Sequence, residues 1–226
     1  MSTATTIPID SYLAKNVHLL PQTRQLRALH TIIRARETKR EDFFFSSRRI
    51  IRLLVEAALD LTPFEECKVE TPVGEIYTGL RSVSPICGVS VARAGDSMEA
   101  GLREVYPSAQ IGKILIQRDK ATKLPHLYYS ALPGNIATSQ VLLLDPMLAT
   151  GGSALTAIQV LLDKGVAVRD IVFVNLLSAP EGIATVCGRH PELRIVTSSV
   201  ERHLNHNAFM VPGIGDFGDR FFGTEK

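Results

Sequence analysis

No apolar run in these 226 residues approaches the roughly 20 residues that a helix needs to cross a bilayer, so a membrane-spanning helix is not expected. Cysteine is scarce. Cys67, Cys87 and Cys187 are odd in number and lack metal-ligand spacing, which points to a reduced, cytoplasmic protein. The opening MSTATTIPID has neither a basic start nor an apolar stretch, so no secretory signal is predicted. Repeats, low-complexity tracts and linker-like segments are also missing, and one domain spanning 1–226 is expected. Charge of one sign is not in excess: 25 Lys and Arg face 23 Asp and Glu, a net +2. With no basic, aromatic stripe, this balance argues against a nucleic-acid partner.

What is present is ordinary for a folded soluble chain, with 45% hydrophobic and 21% charged residues. Leu26, Leu29, Ile32 and Ile33 recur at helical spacing and predict a helix between Thr23 and Arg36. A second helix is predicted from Asp42 to Asp60, with Ile50, Leu53, Leu54, Ala57 and Ala58 inward. KVETPVGEIYTGL (residues 68–80) reads as a β-hairpin around Pro72-Val73-Gly74. Arg34, Arg36, Lys39, Arg40, Arg48, Arg49 and Arg52 crowd the N-terminal part. They form either solvated helix faces or a site for a phosphorylated small molecule, whose oxygens match guanidinium forks.

Beyond the hairpin, ICGVSVAR, IGKILIQRD, VLLLDP and IVFVNLL are nearly continuous apolar runs, as in strands buried on both faces. Helical stretches over Ser97–Val105, Gly152–Lys164 and Glu181–Gly188 separate several of them. The predicted fold class is therefore α/β: a mostly parallel twisted sheet with flanking helices, plus an N-terminal helical segment (1–62) and a β-hairpin (67–81). Such sheets bind ligands at the carboxyl ends of their strands.

One strand end carries a dense group of functional residues, VLLLDPMLATGGSALTAIQVLL. An apolar strand ends at Asp145, and a small-residue loop leads into an amphipathic helix. Gly151 and Gly152 permit close backbone approach. The amides of Ala149 to Ser153 would lie at the helix N-terminus, where the dipole favours an anion. Thr150 and Ser153 add hydroxyl donors. Together they suit a terminal phosphate, with Asp145 accepting bonds from sugar hydroxyls. The loop has neither the lysine of a triphosphate-binding loop nor dinucleotide-fold glycine spacing.

DPMLATGGS resembles the loop for phosphoribosyl diphosphate (PRPP) in uracil phosphoribosyltransferases. The resemblance continues through VSVARAGDSMEAGL, IGKILIQRD and VPGIGDFGDRFFGT, in the family's order, from about Leu20 to Thr224. It implies transfer of phosphoribose from PRPP to uracil, giving UMP and pyrophosphate in pyrimidine salvage. Arg93 and Arg118, at two strand tips, would hold the diphosphate. Asp145, Pro146, Met147, Leu148, Ala149, Thr150, Gly151, Gly152 and Ser153 would hold the ribose and 5′-phosphate. The main chain of Met210, Gly215, Asp216 and Phe217 would read uracil, in a C-terminal base-binding segment (199–226) whose MVPGIGDFGDRFFGT is too glycine-rich for a strand or helix. Asp216 would also reach PRPP, through Mg²⁺ or a ribose hydroxyl. Asp145, Arg118 and Asp216 are the catalytic candidates.

Mg²⁺, carried by PRPP, is the implied cofactor, and no protein nucleophile is expected. The proton on uracil N1 leaves to Asp216 or to a pyrophosphate oxygen. Some family members are tetramers activated by GTP, so a GTP effector site at Arg40 and Arg49 and a homodimer or homotetramer are implied as well. Those arginines could instead pair with Glu37, Glu41 and Asp42. Phe209, Met210, Lys120, Ala121 and Asp96 depart from the family's usual residues. A transferase for another base should lack GIGDFGDR, and a nucleotide-sensing protein that binds RNA should be more basic.

Overall fold

The four apolar runs form the middle of one sheet. The computed structural model describes residues 15–118 and 125–224. In it β4 (Ile86–Ala92), β5 (Gln110–Arg118), β7 (Gln140–Leu144) and β9 (Ile171–Ser178) are those runs. Every residue of β7 and β9 is buried. Side chains alternate along a strand, so Val141 and Leu143 enter one apolar cluster while Leu142 and Leu144 enter the other. Burial on both faces is why these strands show no polar alternation.

Their neighbours were harder to see. β1 (Val17–Leu19), β6 (Pro125–Ala131), β8 (Met147–Leu148) and β10 (Arg194–Val200) complete the sheet, in the order β1–β10–β9–β7–β4–β5–β6 with β8 also on β9. Pairing is parallel except between β5 and β6. β10 buries Thr197 and Ser198, whose hydroxyls donate to Leu176 O at 3.3 and 2.7 Å. Those bonds let polar residues occupy a buried strand.

Helices α1 (Arg24–Arg34), α2 (Arg40–Asp60) and α3 (Asp96–Val105) cover one face; α4 (Gly152–Asp163) and α5 (Pro180–Arg189) cover the other. Thr23 caps α1 by accepting from Leu26 N–H at 3.1 Å. One inward assignment needs correction: Leu53 remains 45% exposed, while Phe43, Ile51 and Val55 are buried on α2; on α1, Ile32 of the periodic set is 38% exposed and His30 is buried. β2 (Phe64–Glu70) and β3 (Ile76–Ser82) make the expected hairpin, which begins three residues earlier and, among the described residues, pairs with no other strand.

The C-terminal segment also corrects an expectation. It contains β11 (His203–Leu204), β12 (Met210–Val211) and α6 (Phe217–Phe222). Its glycines at 213, 215 and 223 flank the helix, where positive φ is tolerated. Asp216 caps α6, and Phe217 and Phe221 pack against Phe43 and Phe44 of α2.

From β4 the chain passes by α3 to β5 on one side, then returns to β7 on the other side of β4. The sheet's switch point thus lies between the carboxyl ends of β4 and β7, where such folds open a crevice. Arg93 follows β4 and Asp145 follows β7.

Candidate active site

Gly95 joins these two strand ends. A Cβ there would lie 2.2 Å from Leu144 O and 2.6 Å from Val91 N, so only glycine permits the approach. After Asp145, Pro146 O accepts from Leu176 N–H (2.9 Å) and Leu148 O from Ala179 N–H (2.8 Å), which ties the loop to β9. The loop then presses on α5: a Cβ at Gly182 would stand 2.3 Å from Ala149 O. Gly151, at φ +87°, turns the chain into α4. The first N–H groups of α4 have no intrahelical acceptor and face a recess of about 80 Å³ lined by Asp145 and Met147–Ala154. The expected cradle residues therefore converge.

Asp145 is half-buried by surface area, yet it sits low in this protein-lined recess. Burial raises its carboxyl to about 7. The one opposing influence is a long bond, 3.4 Å, from Met147 N–H. Such a carboxylate is short of partners and suited to donors brought by a ligand.

A second cavity of about 380 Å³ adjoins the cradle and shares Met147 and Ala149 with it. Its wall is the 208–217 loop, including Phe209, Met210, Gly213, Gly215, Asp216 and Phe217. Met210 is 7% exposed, with its side chain in the apolar core. Phe209 is 54% exposed at the rim. Asp216 Oδ1 accepts from Asp219 N–H at 2.8 Å, so this carboxylate caps α6.

Arg93 lies at its expected strand end but turns toward α6. Its Nη2 donates to Asp219 Oδ1 at 2.6 Å and its Nη1 to Thr224 Oγ1 at 2.8 Å. Arg118 ends the neighbouring β5, and its side chain, like Lys120 and Ala121, is outside the described residues. Asp96, unexplained in the sequence, joins Glu99 around Lys113 (3.2 and 2.9 Å), and both carboxylates accept from buried Ser90. This cluster braces the Arg93 loop from below.

The basic N-terminal stretch disperses. Arg34 binds Glu201, Arg40 Nε donates to Phe221 O at 3.2 Å, and Arg48 and Arg52 pair with Glu104. Arg49 lies 5.9 Å from the Phe45 ring centroid. Arg40 and Arg49 are nine residues apart on α2, hence on opposite faces of it, and do not converge. Arg34, Glu201, Asp219 and Arg220 are site-supporting residues that sequence reasoning missed. Arg34 and Glu201 are single charges 167 residues apart, and Asp219 and Arg220, though adjacent, take partners from distant parts of the chain.

A mostly parallel α/β sheet whose switch point carries a small-residue loop at a helix N-terminus, an underpartnered carboxylate and an adjoining cavity defines a phosphoribosyltransferase-type protein. A family model described as uracil phosphoribosyltransferase matches residues 20–224. The chain is 54% identical to uracil phosphoribosyltransferase of Dictyostelium discoideum, covering 93% of this chain and 98% of that one. It is 53% identical to that of Saccharomyces cerevisiae, covering 92% and 96%. In structure it is similar to the AQ2163 protein from Aquifex aeolicus, with TM-score 0.82, 30% identity and coverage of 92% and 99%. This chain belongs to the uracil phosphoribosyltransferase family.

Proposed function

We propose that the chain transfers the phosphoribosyl group of PRPP to N1 of uracil, releasing pyrophosphate and leaving UMP for pyrimidine salvage. One observation carries this reading: the phosphate cradle and the base cavity abut through Met147 and Ala149, as a ribose bridging the two requires. An assay with PRPP, Mg²⁺ and labelled uracil, cytosine, orotate or hypoxanthine tests it. Product from uracil alone is expected, and equal use of another base refutes it.

The amides of 149–153, with Thr150 and Ser153, would bind the 5′-phosphate, and Asp145 would accept the ribose hydroxyls. The main chain of Met210, Gly215, Asp216 and Phe217 would match the O2, N3–H, O4 edge of uracil. Cytosine would leave buried polar groups unpaired, which can discriminate by about 10⁴-fold. Catalysis would rest on holding N1 opposite the leaving pyrophosphate in a dry pocket. Asp216 Oδ1 already accepts the Asp219 N–H, so a pyrophosphate oxygen is the better-placed acceptor for the N1 proton.

The donors fit Mg²⁺ carried on the diphosphate. Asp145 offers carboxylate oxygens that hold only one long bond, from Met147 N–H at 3.4 Å, and among the described residues no cluster of His, Cys, Asp and Glu could cage an ion. Bound with PRPP, Mg²⁺ would supply positive charge that offsets the charge on the departing diphosphate.

The diphosphate would draw Arg93 from Asp219, with Arg118 on the next strand tip. Arg93→Ala or Arg118→Ala is expected to raise KM for PRPP about 10- to 100-fold, since such charge-assisted bonds are worth ~1.5–3 kcal/mol. KM for uracil should change little. An effect on uracil alone removes both arginines from the diphosphate site.

The chain is read as one cytoplasmic phosphoribosyltransferase domain acting as a homodimer or homotetramer. Among the described residues no helix is long and apolar enough to cross a membrane. The hairpin exposes Val69, Val73, Ile76, Tyr77 and Leu80 by half or more, an apolar surface suited to a second copy. For a GTP effector, Arg40 and Arg49 of one chain cannot share a ligand. Arg49 and Arg52 border one groove with Gln25, Leu29, Leu53 and Glu56, which favours Arg49 as the contact. Millimolar GTP is then expected to change PRPP affinity or the assembly equilibrium by about 5- to 150-fold, read by initial rates and sedimentation. No change in either removes the effector site.

A further inference from the structure

A buried ion pair stands behind the base cavity without lining it. Glu201 lies where the chain leaves β10, with 1% of its side chain exposed. Its carboxylate is fully engaged. Oε1 accepts from Arg34 Nη2 at 2.6 Å and from Ser199 Oγ at 3.0 Å; Oε2 accepts from Arg34 Nη1 at 2.9 Å and from Gly213 N–H at 2.7 Å. Arg34 Nη1 also donates to Gly213 O at 3.2 Å. Burial alone would raise this carboxyl. The Arg34 and Gly213 bonds, then the Arg34 charge and the Ser199 bond, outweigh burial and hold it below its ordinary value.

The pair therefore grips both peptide units around Gly213, at the middle of the cavity-lining loop. On one side, Met210 is held by pairing with Leu204; on the other, Ile214 O accepts from Arg220 Nη1 at 2.9 Å. Pro212 has no N–H, and a Cβ at Gly213 would lie 2.3 Å from Met210 O. Between the two anchors, the orientation of the loop backbone is set by a fork from α1 and a carboxylate from β10.

We infer that Glu201 and Arg34 are positioning residues for base recognition: they fix the Gly213 backbone, and through it uracil affinity and the choice of base. This rests on the reading that the 210–217 main chain contacts uracil. A backbone that reads a base must hold its donors and acceptors in place, and a shift of about 1 Å can cost about 100-fold. Neither side chain lines the phosphate cradle, so PRPP binding is left aside.

The test uses Arg34→Lys, which keeps charge but loses the fork; Glu201→Gln; and the double variant Arg34→Met with Glu201→Met. The double variant removes both charges together, which a buried site tolerates better than an unpaired one. KM for uracil, KM for PRPP, kcat at saturating uracil and the uracil-to-cytosine preference are measured beside melting temperature. In each folded variant, KM for uracil is expected to rise about 10- to 100-fold and the preference for uracil to fall. KM for PRPP should stay within about twofold, with kcat largely recovered at saturating uracil. A folded variant with unchanged uracil KM and preference overturns the inference, and so does an equal rise in both KM values. Loss of the folded state in all three makes the pair a structural support and likewise overturns it. Gly215→Val, run in parallel, separates the two readings. If it leaves uracil KM unchanged, the loop itself does not read the base.

Discussion

Asp145→Asn should lower kcat/KM for PRPP by about 100- to 1,000-fold, on the scale of removing one preorganised polar group from a reacting centre. The amide keeps the shape but replaces half of a double acceptor by a donor, which faces ribose hydroxyls wrongly. The fold should survive. Because burial raises the Asp145 carboxyl to about 7 in the folded chain, its ionised form opposes folding once the pH passes its ordinary value. Asparagine removes that opposition, so the melting temperature at pH 8 should not fall below wild type. The same raised value predicts that kcat/KM for PRPP climbs with pH to about 7 and then levels. This Asp145 inflection should vanish in Asp145→Asn. Activity within a few-fold of wild type, or a melting temperature that drops at pH 8, would place Asp145 outside the site.

Gly215→Val is expected to abolish use of uracil. Gly215 stands at φ +78° on the cavity wall, in a conformation that a β-branched residue rarely adopts. Space does not explain the effect, because the nearest atom to an added Cβ is Arg220 Cδ at 3.7 Å. Two consequences combine: the backbone must leave its left-handed conformation, and a branched side chain enters the space of the base. Met210→Leu provides the contrast. Its side chain points into the core rather than toward a ligand, so a similar-sized apolar group should leave KM for uracil within about twofold. Steady-state rates with varied uracil check both. A silent Gly215→Val beside a damaging Met210→Leu would mean that side chains read the base.

The residues of the proposed phosphate loop were legible because they are local. Strand, carboxylate, small-residue loop and helix follow one another within about 25 residues, and the chemistry of each acts on its neighbours. The role of the arginine-rich stretch was not legible. Arg34 and Arg40, six residues apart, end on Glu201 and on the C-terminal helix, while Arg48 and Arg52 meet Glu104. Spacing along a helix says which face a side chain takes, but not what the rest of the chain brings to that face.

By itself the sequence determined the α/β class, the four central strands, the strand, loop and helix around Asp145, and the family. Each of these follows from continuous apolar runs or from functional groups close together in the chain. Tertiary structure alone decided the antiparallel edge strand β6, the polar strand β10, the short helix after Gly215 and the pairing of Glu201 with Arg34. It also decided that Arg93 rests on Asp219 and that Arg40 meets Phe221 of the C-terminal helix. The physical reason is shared. A polar group is placed by whatever satisfies its hydrogen bonds and charge, and here those partners lie as many as 187 residues away.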